Sequence, residues 1–149
     1  MENTNQEVPG LVFIQLGIND LFNYSTDEQA VTKADEFISD LKFIAANIKA
    51  YDPNIKIAYN IAIPPTEKID VFAEVYAKNY NQPQWRYKRN NSLLAQKVIE
   101  ELSNDSNIML NPIHKGINVF ENIRDGVHPF DAGYEELASE NVDFINGLN

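Results

Sequence analysis

The chain contains no cysteine. That excludes disulfides, thiolate nucleophiles and zinc–cysteine sites, while leaving the compartment open. Histidine is scarce, with only His114 and His128. His114 has no acidic or histidine partner at ligand spacing, so no metal site is read and no cofactor is implied. Basic residues are few, 12 Lys and Arg against 22 Asp and Glu, for a net charge of −10. Phosphate contacts need Lys and Arg patches, so nucleic acid is excluded as a partner, and the surplus charge reads as a solvated acidic surface. No apolar run approaches the ~20 residues of a membrane span. The start, "MENTNQEVPG", has neither a basic nor an apolar leader region, so no signal peptide is expected. The chain is expected to be cytoplasmic by default, off the membrane, with residues 1–10 flexible.

What is present is enough for a core. Hydrophobic residues make up 44% of 149 and charged residues 23%, which suits one globular domain over residues 1–149. "LVFIQL", Leu11 to Leu16, is a nearly continuous apolar run ending at Gly17. Continuous apolarity suits a strand of a parallel sheet covered on both faces. A helix follows from Ser25, Thr26 or Asp27, any of which can cap it, to Asp52–Pro53. Its apolar residues, from Ala30 and Val31 through Phe37, Leu41 and Ile48, recur at helical spacing. Ile55–Ile63 reads as a second strand stopped by Pro64–Pro65. The aromatic stretch after it, to about residue 84, reads as a loop. A helix over Trp85–Leu102 points Leu93, Leu94, Val98, Ile99 and Leu102 inward. Ile108–Leu110 is a short third strand. A loop over Asn111–Pro129 then leads to a last helix, about Asp131 to Leu148, with Leu137, Ala138, Val142 and Ile145 on its apolar side.

Strand and helix alternate three times, which predicts an α/β fold with a parallel sheet. Right-handed crossovers put the first two helices on one face and leave the last to cover the other. In such sheets functional residues collect at the carboxyl ends of the strands. Two blocks fall there: "LGIND" (Leu16–Asp20) and "DGVHP" (Asp125–Pro129). Each has a plain reading, Asn19–Asp20 and Asp125–Gly126 as turn formers and His128–Pro129 as a rigid start to a helix. Together they supply complementary chemistry. Asn19 offers a neutral N–H for a developing oxyanion, His128 a base, and Asp125 the group that fixes its tautomer.

These blocks carry a resemblance. "LGIND" resembles the G-x-N-D block of the SGNH (GDSL-type) hydrolases, and "DGVHPFDAGY" resembles their D-x-x-H-P block. The "IAIPPT" strand end, Ile61 to Thr66, is also similar to that family. "WRYKRNN" and "DGVHPFDAGYEELA" are similar to phage and prophage-associated members, which leaves a phage particle or an exported form open. The resemblance implies a flavodoxin-like three-layer α/β/α sandwich that hydrolyses esters. Its substrate would be an acylated small molecule or an acylated carbohydrate. By the same resemblance His128 is the general base and then the acid, Asp125 orients it, Asn19 is an oxyanion-hole donor, and Asp20 supports the loop.

The family's G-D-S block, which holds the nucleophilic serine, is not in this sequence. The chain is therefore expected to be the C-terminal portion of such a domain, truncated before the fold's third strand and inactive or very weak alone. Of Ser25, Ser39, Ser92, Ser103, Ser106 and Ser139, only Ser25 falls on the right sheet edge, and a helix cap is its better reading. The alternative is an inactive remnant or interaction module. In the family's strand order Leu11–Leu16 would lose a neighbour and become a sticky edge, so self-association or pairing with another chain is expected there. Tyr76–Tyr87, with Trp85 and Arg86, reads as aromatic packing over a loop ahead of a lining for a sugar or acyl site.

Overall fold

The apolar runs pair as one parallel sheet in the order β1-β2-β3, with β1 at Leu11–Ile14, β2 at Lys56–Asn60 and β3 at Met109–Asn111. This computed structural model describes residues 7–148, so most of the start expected to be flexible lies outside the described residues. Phe13 pairs with Ala58 and Ile14 with Tyr59. Side-chain alternation then sends Ile57 and Tyr59 to one face, and Ala58 and Asn60 to the other. β1 and β2 are shorter than the apolar runs that announce them, and β3 keeps three residues but starts one later than Ile108. β1 leaves the ladder before Gln15 and turns at Gly17, whose φ of +101° is open to glycine at little cost. β3 supports only a three-residue ladder, which fixes the end of β2 at Asn60.

Helix α1 (Asp27–Tyr51) starts at Thr26, whose side chain accepts the Gln29 N–H, and ends where Asp52 becomes extended before Pro53. Ser25 is outside the cap, its N–H bonded to Gln29 Oε1. Helix α4 (Gln84–Leu102) packs beside α1 on the Tyr59 face. Ala34, Phe37, Leu41, Ile57, Tyr59, Leu94, Val98 and Leu102 form the main core there. Helix α5 (Asp131–Asn146) covers the other face, where Asn111 bonds Asn141 at 2.9 Å and the Phe13 and Phe144 rings meet at 6.0 Å. The result is the three-layer α/β/α arrangement, with α1 and α4 sharing one face as right-handed crossovers require.

Three details differ from the sequence reading. The stretch read as a loop is helical: α2 (Ile69–Phe72), a π-helical turn (Ala73–Ala77) and α3 (Lys78–Tyr80) run without a break to Asn81, which ends them in the left-handed region. Ile99 is exposed, because α4 buries the side carrying Leu94, Val98 and Leu102. On α5 the inward line is Gly133 and Leu137, flanked by half-buried Asn141 and Phe144. Ala138, Val142 and Ile145, about 100° round the helix, stay exposed with Tyr134. Among the described residues β1 pairs only with β2, so its other side is an open edge.

Candidate active site

The segment after β1 carries Asn19 out to the carboxyl end of the sheet. Leu21, 1% exposed, pins it to the core. Remote side chains take its carbonyls. The Tyr59 hydroxyl donates to Leu16 O at 2.8 Å, and Asn90 Nδ2 donates to Leu21 O at 2.8 Å and Tyr24 O at 2.9 Å. Buried Gln82 donates to Phe22 O. Asn90 is itself held by Arg86, which also meets Asp27 at 2.7 Å. The Asn19 carbonyl accepts the Phe22 N–H within the turn. Its side chain opens into a cleft of about 330 Å³ lined by Asn19, Phe22, Asn23, Tyr76, Tyr80 and His128.

The second loop brings His128 to the same cleft. Asp125 Oδ1 accepts the N–H groups of Val127 at 3.1 Å and His128 at 2.9 Å, a local turn made by the aspartate itself. Asp125 Oδ2 lies 2.9 Å from His128 Nδ1. The turn former of the plain reading and the orienting carboxylate are thus one residue. Arg124 donates its N–H to His128 O and Phe130 donates to Asn122 O, closing the loop on itself. Gly126 has φ +106°, and a Cβ there would sit 2.9 Å from Phe72 Cα and 3.3 Å from Tyr76 Cδ2. Glycine therefore lets the loop press against α2 and the π-helical turn. Thr66 N–H bonds Gly126 O at 2.9 Å and ties the loop to the end of the second strand's extension.

Electrostatics favour an ionised aspartate facing the His128 ring. Burial pushes the Asp125 carboxyl up, but N–H donation from His128 and Val127, and then the His128 ring, outweigh it and hold it below its ordinary value. With Asp125 ionised, Nδ1 carries the imidazole proton toward it, leaving Nε2 as the free base. Asp20 is exposed beside Asn19 and acts as a charge, helping burial to raise the Tyr59 phenol.

The cleft also holds residues the sequence did not assign. Phe22, Tyr76 and Tyr80 form an aromatic wall, with ring centroids 5.2 Å (Phe22–Tyr76), 5.6 Å (Phe22–Tyr80) and 6.0 Å (Tyr76–Tyr80) apart. The i, i+4 spacing of Phe72, Tyr76 and Tyr80 was the available signal. The rest of the aromatic stretch goes elsewhere: Tyr87 is buried behind the wall, Arg86 is in the Asn90–Asp27 network, and Trp85 is exposed beside Ile69 and Pro83. Among the described residues no serine lines the cleft. Ser25 stays at the start of α1, and Ser39 bonds Asp35 O within it. A larger groove, about 550 Å³, lies at the amino end of the strands between α1 and Asp105–Ile108, away from these groups. No described helix is long and apolar enough to cross a membrane.

Comparison with known proteins bears on the fold and the family. The chain matches no curated protein. Among solved structures it is similar to a candidate platelet activating factor from Streptococcus pneumonia, at TM-score 0.66 and 17% identity over 90% of this chain. This chain spans 58% of the length of that one, and at such identity the likeness bears on the fold alone. The family description "GDSL-like Lipase/Acylhydrolase" matches residues 1–141. The chain belongs to the GDSL-like lipase/acylhydrolase family.

Proposed function

We propose that these 149 residues supply the base and oxyanion side of a serine esterase, with the nucleophilic serine carried by polypeptide outside them. The observation that supports this most is the Asp125–His128 pair at 2.9 Å, facing the same cleft as the Asn19 amide. In this reading the serine hydroxyl gives its proton to His128 Nε2 as its oxygen attacks the ester carbonyl. The Asn19 amide donates to the oxyanion. His128 then returns the proton to the leaving alcohol, and water repeats the sequence on the acyl-enzyme. Asp125 stays ionised throughout and holds the imidazolium.

In this reading the serine's strand pairs on the side of β1 that has no partner among the described residues. A parallel strand seated there would end beside the Asn19 turn, within reach of the cleft. The aromatic wall flanked by the Asn19 and Asn23 amides suits an acylated carbohydrate, whose ring stacks on aromatic faces while its hydroxyls bond amides. The likeness to phage-associated sequences makes an acylated cell-surface polysaccharide the first form to try.

The second reading, an inactive remnant or interaction module, draws on the absence of serine from the cleft lining. Hydrolysis of p-nitrophenyl acetate separates the two. On the first reading the chain alone shows no turnover above a His128→Ala control. Adding a polypeptide that carries a G-D-S strand raises turnover by about four orders of magnitude or more. No His128-dependent turnover in either case would leave the second reading standing.

A further inference from the structure

The π-helical turn at Ala73–Ala77 brings one more polar group to the Asp125–His128 pair. Tyr76 Oη lies 3.4 Å from His128 Nδ1. Its ring is fixed on three sides, with centroids 5.1 Å from Phe72, 5.2 Å from Phe22 and 6.0 Å from Tyr80. The Gly126 backbone presses against its edge. π-turns inside helices are rare and recur at functional sites, where the extra residue re-aims a side chain. Nδ1 already carries the proton directed at Asp125 Oδ2, so it cannot accept from the phenol. The acceptor left at that nitrogen is the Asp125 carboxylate, whose Oδ2 and Oδ1 lie 2.9 and 3.2 Å from Nδ1.

We propose that Tyr76 is a positioning residue, whose phenol donates its hydrogen to the Asp125 carboxylate and so sets how strongly Asp125 holds the His128 imidazole. The hydroxyl is well suited to remain a donor. Burial first, and then the Asp125 charge, push it up to about 12, so it stays protonated across the working range. The charged and titratable groups facing the pair are Asp125 and Arg124 on the loop itself, Tyr76 and Tyr80 on the π-turn and α3, and Tyr87 on α4. None of the others both lines the cleft and touches His128 Nδ1. A neutral donor on the carboxylate draws charge away from the imidazolium. Without it the imidazolium is held more tightly and gives up its proton less readily.

The purpose of this arrangement rests on the esterase reading, but its test does not. The His128 ring is followed by nitrogen-15 NMR against pH in wild type, Tyr76→Phe and Tyr80→Phe. Tyr76→Phe keeps the ring and its packing. Its His128 midpoint is expected to rise by about half a pH unit relative to wild type, while Tyr80→Phe leaves it in place. Replacing Tyr76 by 3-fluorotyrosine, a stronger donor of the same shape, is expected to move the midpoint down, and it decides the matter should Tyr76→Phe fold poorly. A midpoint unchanged or lowered in Tyr76→Phe, or unchanged with 3-fluorotyrosine, overturns the role. A shift with no His128-dependent turnover even when the G-D-S polypeptide is added would keep Tyr76's role and remove the esterase reading. His128-dependent turnover with an unmoved midpoint would do the reverse.

Discussion

The Asn19 turn and the His128 loop meet at one cleft but are held by different means. The His128 loop largely holds itself: Asp125 caps two of its own N–H groups, Arg124 and Phe130 close it through backbone bonds, and Gly126 fits it against Phe72. The Asn19 turn is held from a distance. Its carbonyls are satisfied by Tyr59 from β2, Asn90 from α4 and Gln82 from the connection before α4. One loop is therefore a local sequence feature, and the other is a product of the tertiary fold. The two should fail differently when broken.

The largest expected loss is on the Asn19 side. Asn90→Ala removes the donor to two carbonyls and an acceptor for buried Arg86. Orphaning these groups should cost about 3 kcal/mol, read as a drop in denaturation midpoint, with the Asn19 turn loosened while the His128 loop stays closed. Gly126→Ala attacks the other loop. A positive φ and a Cβ against backbone should cost about 2 kcal/mol, and amide exchange should speed first around residues 122–130 and 66–72.

A smaller effect tests the local cap by pH. Asp125 has a folded value below its ordinary 3.8, so its contribution to stability is complete above the unfolded value and is lost as pH falls through the folded one. Wild type should accordingly lose melting temperature relative to Asp125→Asn as pH is lowered below about 4. Parallel curves for the two proteins over that window would contradict the cap. The smallest change is expected behind the aromatic wall. The Tyr87 hydroxyl is buried with no partner among the described residues, so Tyr87→Phe should be neutral or stabilising by up to about 1 kcal/mol. A loss instead would mean that this hydroxyl is satisfied in solution.

The same contrast accounts for what could be read in the sequence. Apolar continuity located β1 and β2, and the three- and four-residue spacing of Ala34, Phe37, Ile38 and Leu41 located α1. Asp125 and His128 were legible because three residues and a glycine make their geometry. Asn19 was legible as a position, but its supports were not. Tyr59, Gln82 and Asn90 lie 43 to 69 residues from the carbonyls they satisfy. The Tyr76 region was hidden for another reason. Ile69–Tyr80 is short, lies between prolines, and contains a π-turn that breaks the 3.6-residue period by which a helix is recognised. On α5 the misplaced apolar side reflects two adjacent stripes, of which the fold buries the one through Leu137 and leaves Val142 and Ile145 facing outward.

The central claim is that His128 and Asp125 serve a serine that these 149 residues do not contain. A fluorophosphonate probe, which bonds covalently to an activated serine, tests it most directly. Applied to this chain together with a G-D-S-bearing polypeptide, the probe should label the added polypeptide, and labelling should vanish with His128→Ala. Labelling of Ser25 or any other serine of this chain, or labelling indifferent to His128, would contradict the account.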